Sequence, residues 1–391
     1  MSQELSRIVR DALAARGSAL LRNRTPRQPR GADGIIDFSS NDYLGLSRHP
    51  KVVEAMRQGA KEWGAGSAAS PLITGYTEAH RSAEEAIARW KGTSSAVLLP
   101  SGYQANHAAI GALVGAAQTC GRSIRFFFDK LVHASLIDAI VGSGKPFRSF
   151  AHNDLGKLER LLEGANDVEM RIVVTESIFS MDGDAAELRG IVALKKKWGF
   201  VLVVDEAHGS GVYGPGGSGY ASEAGVSSDV DVFIVTLSKA VGCAGGAVCG
   251  SREIQEAVVN FGRAYIYSTA LAPALAVACE AAIGVMGEEP ERQARVGELA
   301  RRVRAGLAKA GWEIPSGDSP IVPVIVGDAN RALELAEGLR KSGLLVMPVR
   351  PPTVAKGSSR LRITLSAEQT DEQVEYLLAR LADARNGGGA Q

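Results

Sequence analysis

The chain has 391 residues, 45% of them hydrophobic and 22% charged, with a formal net charge of +1. That length predicts two domains with a large core, and the near-neutral balance excludes a global electrostatic case for nucleic acid or an anionic membrane. No apolar run approaches the roughly 20 residues of a membrane-spanning helix, and the first residues lack a signal-peptide core.

Residues 2 to 22 read as an amphipathic helix, with Leu5, Ile8, Val9, Leu13, Leu20 and Leu21 at mostly helical spacing. Glu4 and Asp11 break the acid-poor character that a transit peptide needs. Arg22, Arg24, Arg27 and Arg30 follow, interrupted by Pro26 and Pro29. They are either a solvated linker or guanidinium donors for an anionic substrate. A short strand at Ile36 leads into the turn of Asn41, Asp42 and Tyr43, whose side chains can bond the backbone. A helix from about Lys51 to Trp63 stops at Gly64, and residues 64–76 form a loop of small residues that backbone or ligand can approach closely. Thr77 N-caps the next helix, which runs to about Lys91.

From Ala96 strands and helices alternate: AVLLP, IRFFFD, RIVVTES, FVLVVD and DVFIVT are buried strands separated by helical stretches. This predicts an α/β fold with a mostly parallel sheet in the large domain. Beyond Leu271, two long helices precede IVPVIV, LLVMPV and LRITL with further helices, predicting a smaller C-terminal α/β domain and a hinge near 285–290. The expected division is 1–46 for an N-terminal helix and substrate-contacting segment, 47–287 for the large domain and 288–391 for the small one. The GGGAQ tail is expected to be disordered. Cys120, Cys243, Cys249 and Cys279 show neither CxxC spacing nor a tight cluster, so reduced thiols in a cytoplasmic protein are expected, with no metal.

Ligands of parallel sheets lie beyond the carboxyl ends of the strands, and chemistry-bearing residues collect there. One strand ends at Lys239, flanked by Ser238 and Ala240 and followed by glycines. A lysine packed against backbone is partly desolvated, which favours the nucleophilic amine; the alternative is a surface lysine in a turn. Another strand ends at Asp205, with His208 three residues on. A strand-end carboxylate beside a strand-end lysine is what pyridoxal phosphate requires: the lysine forms a Schiff base and the carboxylate keeps the pyridine nitrogen protonated. Ser101-Gly102-Tyr103, at a strand-to-helix turn, is either a phosphate cradle or a plain N-cap. His133 either stacks on the ring or merely opens its helix, and neither histidine has the spacing of a metal site. A nicotinamide-dinucleotide protein is disfavoured, because no G-x-G-x-x-G follows the first strand of a βαβ unit. A non-catalytic binding module is disfavoured by the intact Lys239 and Asp205.

The segments NDYLGLSRHP, GAGSAASPLITGY, PSGYQAN, LVHASLIDA, FAHND, TESIFSMDGD, VDEAHGSGVYG, TLSKAVGCAGG, YIYSTALAP and RLRITL, spread in this order from about Ile36 to Leu365, resemble the α-oxoamine synthases. These are pyridoxal-phosphate-dependent transferases of fold type I. The resemblance implies that Lys239 carries the cofactor, Asp205 pairs with the pyridine nitrogen, and His208 and Ser180 bond the phenolic oxygen. It implies that His133 stacks on the ring and that Ser101, Gly102, Tyr103 and Thr236 hold the phosphate, joined by Ser268 and Thr269 from the other subunit of a homodimer. Asn41 and Arg362 are the implied partners of substrate carboxylates, with Arg360 an equal competitor on the same strand face.

SIFSMDGD and DEAHGSG favour the biotin-pathway branch of the family over 2-amino-3-oxobutyrate ligase and 5-aminolevulinate synthase, with the serine palmitoyltransferase branch open. That branch implies condensation of an amino acid, L-alanine, with a pimeloyl thioester of coenzyme A or acyl carrier protein, with loss of carbon dioxide. An arginine before the first substrate-contacting turn, with Arg24 the choice, is the expected partner of the pimeloyl carboxylate.

Overall fold

The computed structural model of the chain describes residues 3–16, 24, 26–28, 31–165 and 169–385. Arg22, Arg30, the expected end of the first helix and the GGGAQ tail lie outside the described residues. The chain divides into two compact units: Asn41–Gly297 with Ser366–Glu368, and Met1–Ser40 with Glu298–Leu365 and Gln369–Gln391. The division falls within the helix Glu291–Lys309, later than the 285–290 stretch.

Strands are numbered in chain order. β1 (Ile36–Asp37) belongs to the smaller unit, and β2 (Ser95–Leu99), β3 (Ile124–Asp129), β4 (Phe147–Phe150) and β5 (Met170–Glu176) open the sheet of the larger one. β6 (Val201–Asp205), β7 (Val232–Thr236) and β8 (Gly246–Gly250) complete it, in the order β2-β8-β7-β6-β5-β3-β4. The inner strands carry continuous apolar runs such as Phe126-Phe127-Phe128 and Leu202-Val203-Val204, all buried. Such runs suit a parallel sheet covered on both faces. The parallel strands predicted from these runs are present, and two further strands are added. β4 is a short edge strand with an exposed pattern, and β8 is built from a glycine-flanked GAVCG that reads as a turn in sequence. β8 runs antiparallel between β7 and β2, setting Gly246 beside both Thr236 and Leu99.

The helix Gly102–Thr119 buries a face of Ala105, Ala108, Ala109, Ile110 and Ala112, and the small side chains let it lie close to the sheet. His49 and Pro50 start the helix Pro50–Trp63 as an N-cap and first-turn proline.

In the smaller unit, β9 (Ile321–Gly327), β11 (Met347–Val349) and β12 (Ser359–Thr364) form an antiparallel sheet in the order β11-β12-β9. Pro323 and Pro348 both fall on its edge strands, where a missing N–H is tolerated. β10 (Leu344–Leu345) pairs in parallel with β1, so LLVMPV is shared between two sheets. The helix Gln3–Arg16 buries none of its residues. Among the described residues no helix is long and apolar enough to cross a membrane, and no group of three or more His, Cys, Asp or Glu is placed to hold a metal.

Candidate active site

The strand ends of the larger unit carry Ser101, Gly102, Asp205, His208, Thr236 and Lys239. Ser101 caps the helix Gly102–Thr119, its hydroxyl accepting from Gln104 N at 3.2 Å. A Cβ at Gly102 would stand 2.4 Å from Thr236 Oγ1, and one at Gly246 would stand 2.6 Å from Gly102 N. The result is a cradle of bare backbone with two hydroxyls at a helix N-terminus, where a dianion is favoured. Gln104 Nε2 also donates to Ser268 Oγ at 2.8 Å, so Ser268 and its neighbour Thr269 border the same helix end within one chain. The Tyr103 side chain turns elsewhere, donating to Asp138 Oδ2 at 2.8 Å and stacking on His107. Tyr103 therefore offers the cradle its backbone N–H.

Asp205 is buried at the end of β6, next to Ile234 of β7 and Glu176 of β5 in register. Its carboxylate accepts from Ala207 N and from Asn106 Nδ2, each at 2.9 Å. Asn106 Nδ2 also donates to Ser135 Oγ at 2.8 Å, and Ser135 Oγ lies 2.7 Å from His133 Nδ1. The Ser135 N–H donates to the same ring nitrogen, so Nδ1 is the acceptor and Nε2 carries the proton of a neutral ring. Burial lowers the His133 pKa, and the Lys239 charge lowers it further against the opposing pull of Asp205. Glu176 is forced the other way: burial, and next the Asp205 charge, raise its pKa well above the usual carboxyl range, while the His133 backbone N–H donates to it. Its Oε1 and Asn106 Oδ1 are buried without a hydrogen-bond partner among the described residues.

Lys239 lies in the turn after β7, its Nζ 2.9 Å from His208 Nε2. His208 Nδ1 is 2.6 Å from the Tyr43 hydroxyl, which donates to Asn41 Oδ1 at 3.2 Å. Tyr43 and His208 are both buried. The hydrogen bonds thus run from Lys239 through His208 and Tyr43 to Asn41, four residues of the larger unit. The sequence places Tyr43 in a turn and singles out none of Asn106, Ser135 and Glu176. Their signal was weak: NDY, PSGYQAN, HAS and TES each carry a polar residue at a strand or helix end, where capping is the ordinary reason.

Ser180 sits half-buried in the turn after β5. Arg360 and Arg362 are buried on β12 of the smaller unit, two residues apart and hence on one strand face. Arg24 is exposed outside any helix or strand, in the same unit.

The donor set fits pyridoxal phosphate: a cradle that any side chain would fill, a buried carboxylate at a neighbouring strand end, orphaned polar atoms beside it, and a lysine amine within reach of an imidazole. The chain belongs to the aminotransferase class I and II family, whose model matches residues 33–381. It is a pyridoxal-phosphate-dependent, acyl-transferring α/β enzyme of fold type I. It is 43% identical over 380 residues, 95% of each chain, to the 8-amino-7-oxononanoate synthase of Stutzerimonas stutzeri strain A1501. The solved serine palmitoyltransferase of Sphingomonas wittichii matches at a TM-score of 0.91 and 29% identity, over 99% of this chain and 98% of that one. The 8-amino-7-oxononanoate synthase of Francisella tularensis matches at 0.77 and 28%, over 90% and 98%.

Proposed function

We propose that the protein condenses L-alanine with a pimeloyl thioester, of coenzyme A or acyl carrier protein, giving 8-amino-7-oxononanoate, carbon dioxide and free thiol for biotin biosynthesis in the cytoplasm. The observation that carries the chemistry is the Lys239 amine 2.9 Å from His208, in the turn after the strand that pairs with the one ending at the buried Asp205. The relatives named for this reaction support the branch.

When bound, the cofactor supplies an electron sink for a carbanion at the amino-acid α-carbon. Lys239 would carry the cofactor, and its amine would remove the α-proton of the amino acid. His208 Nε2, already in contact with Lys239 Nζ, is the group that takes or returns that proton. Asp205, oriented by Asn106, holds the ring nitrogen protonated. Ser101, Gly102, Tyr103 and Thr236 would hold the phosphate, with Ser268 and Thr269, and Ser180 and His208 would bond the phenolic oxygen. His133, neutral and fixed by Ser135, offers a ring face for stacking. Asn41 and Arg362, with Arg360 as competitor, orient carboxylates, and Arg24 meets the pimeloyl end.

The working form is a homodimer. Ile73 and Tyr267 are 75% and 72% exposed, large apolar surface on two segments that the Ala270 N to Ala69 O hydrogen bond ties together. They flank a cavity of about 210 Å³ lined by Leu72, Tyr76, Val259 and Tyr265. Exposed apolar surface of this kind suits burial against a second copy. Sedimentation of a fully active monomer at assay concentration would contradict it.

The decisive experiment assays alanine, glycine and serine against pimeloyl, acetyl, succinyl and palmitoyl thioesters. Alanine with pimeloyl gives the highest kcat/KM. Its margin over glycine is graded, because one methyl group is worth only about 1–3 kcal/mol. A preference for serine with palmitoyl thioester would move the protein to the branch of its serine palmitoyltransferase neighbour.

A further inference from the structure

His152 lies outside the cofactor site, yet it joins two segments that build it. Its Nδ1 is 3.1 Å from Asp129 Oδ2, and its Nε2 is 2.6 Å from Asp184 Oδ2. The ring meets Phe179 edge-on at 4.3 Å. Asp129, buried at the end of β3, also accepts from Leu131 N at 2.9 Å, so its carboxylate shapes the loop leading to His133. Asp184 closes the turn that carries Ser180, since Phe179 N donates to the Asp184 carbonyl and Gly183 N to that of Phe179. Asn153 reinforces the same junction: its N–H donates to Asp129 Oδ2 at 2.9 Å and its Nδ2 to the Ala185 carbonyl at 3.0 Å. It holds φ at +54°, which a non-glycine residue seldom adopts.

We propose that His152 is a positioning residue. As an imidazolium bridging Asp129 and Asp184, it fixes the His133 loop against the Ser180 turn and so sets the cofactor-binding geometry from outside the site. Both ring nitrogens face carboxylate oxygens, an arrangement that only the doubly protonated ring satisfies. Burial alone would depress its pKa, but the hydrogen bonds that the ring donates to Asp129 and Asp184 outweigh that and hold it at about 10. The inference rests on the reading of His133 and Ser180 as cofactor contacts.

The test is titration of the apoprotein with pyridoxal phosphate, followed by absorbance well below each variant's thermal midpoint. His152→Asn and Asp184→Asn each weaken cofactor binding by about 10²-fold, the scale on which remote misplacement of a site is felt. Combined with Ser180→Ala or His133→Ala, their effects are less than multiplicative, because residues acting through one another do not add. A loss from Ser180→Ala and His133→Ala, but none from a folded His152→Asn, would overturn the clamp alone. No loss from Ser180→Ala and His133→Ala would overturn those contacts and the clamp with them. If His152→Asn does not fold, Asp184→Asn decides on the same titration, since it keeps the inner Asp129–His152 pair and alters the partly exposed end.

Discussion

The Tyr43 hydroxyl lies 2.6 Å from His208 Nδ1, across 165 residues of sequence. Because Tyr43 donates to Asn41 Oδ1, it accepts from His208, and Nε2 is left to accept from Lys239 at 2.9 Å. Tyr43 therefore selects the His208 tautomer that can relieve Lys239 of a proton. Tyr43→Phe removes the hydroxyl that faces Nδ1 and with it the bond that selects the tautomer. Exchange of the alanine α-proton into deuterated water, followed by NMR, falls by about 10²-fold, within the range of general base catalysis. Exchange at the wild-type rate would show that Lys239 is set without Tyr43.

Asp205 should be the residue on which proton exchange depends most. A carboxylate–pyridinium pair in contact interacts by about 5 kcal/mol at an effective dielectric of ~20, before desolvation is charged against it. Asp205→Asn keeps the shape and the bond from Ala207 N but removes the preference for a protonated ring. The variant folds and binds cofactor weakly, with α-proton exchange lower by up to roughly four orders of magnitude, the ceiling that energy implies. Near-normal exchange would displace Asp205 as the ring's partner.

Cofactor attachment can be placed by chemistry. Borohydride reduction of the yellow holoenzyme, then peptide mass mapping, puts the adduct on the peptide containing Lys239, and Lys239→Ala abolishes it. Adduct at Lys91, which is buried in this unit where Lys239 is half-buried, would refute the assignment.

Much of this site was legible before the structure because strand ends are legible. Uninterrupted apolar runs locate β5, β6 and β7, and residues just past such strands converge whatever their separation. Asp205, His208, Lys239 and Ser101 follow from that rule. Tyr43, Asn106 and Ser135 do not, because their roles arise from side-chain pairs set by tertiary packing, and no periodicity records those. β8 was hidden for a related reason: its two end glycines, of which Gly246 makes room for the backbone of Gly102, carry the composition of a turn. The small unit's segment after Met1 shows the limit on domain boundaries, since β1 finds its partner in β10, more than 300 residues on.

The His152 clamp carries a pH signature. Its folded-state pKa of about 10 lies above the ordinary histidine value near 6.5, so the imidazolium stabilises the folded state. That contribution is complete below about pH 6.5, declines as the pH rises further, and is spent once the pH passes about 10. The groups facing the ring are Asp129 and Asp184. Wild type therefore loses more thermal stability between pH 7 and pH 10 than His152→Asn does. An imidazole titrating near 6.5 by NMR would remove the basis of this expectation.

Lys91 and Glu206 form a buried ion pair that neither side chain's sequence context announces. Their charged groups are 3.1 Å apart, with side chains 1% and 0% exposed. Lys91 Nζ also donates to the Ser218 carbonyl and to Ser210 Oγ, and lies over the Phe233 ring at 5.0 Å. Glu206 accepts from Tyr220 N and Ala221 N at 3.2 and 2.7 Å. Glu206 directly follows Asp205, and the pair pins both ends of the loop that carries His208. Taking two charges out of water is costly, so the pair as a whole adds little net stability, but removing one member strands the other in the core. Lys91→Met should cost about 3–5 kcal/mol by that reasoning, read as a large fall in thermal midpoint. Lys91→Met with Glu206→Gln should recover part of the loss, because the stranded carboxylate is gone, although the amide oxygen can serve only one of the two N–H groups of Tyr220 and Ala221. A single variant as stable as wild type, or a double variant worse than either single, would show that the loop is held by its backbone bonds and not by this pair.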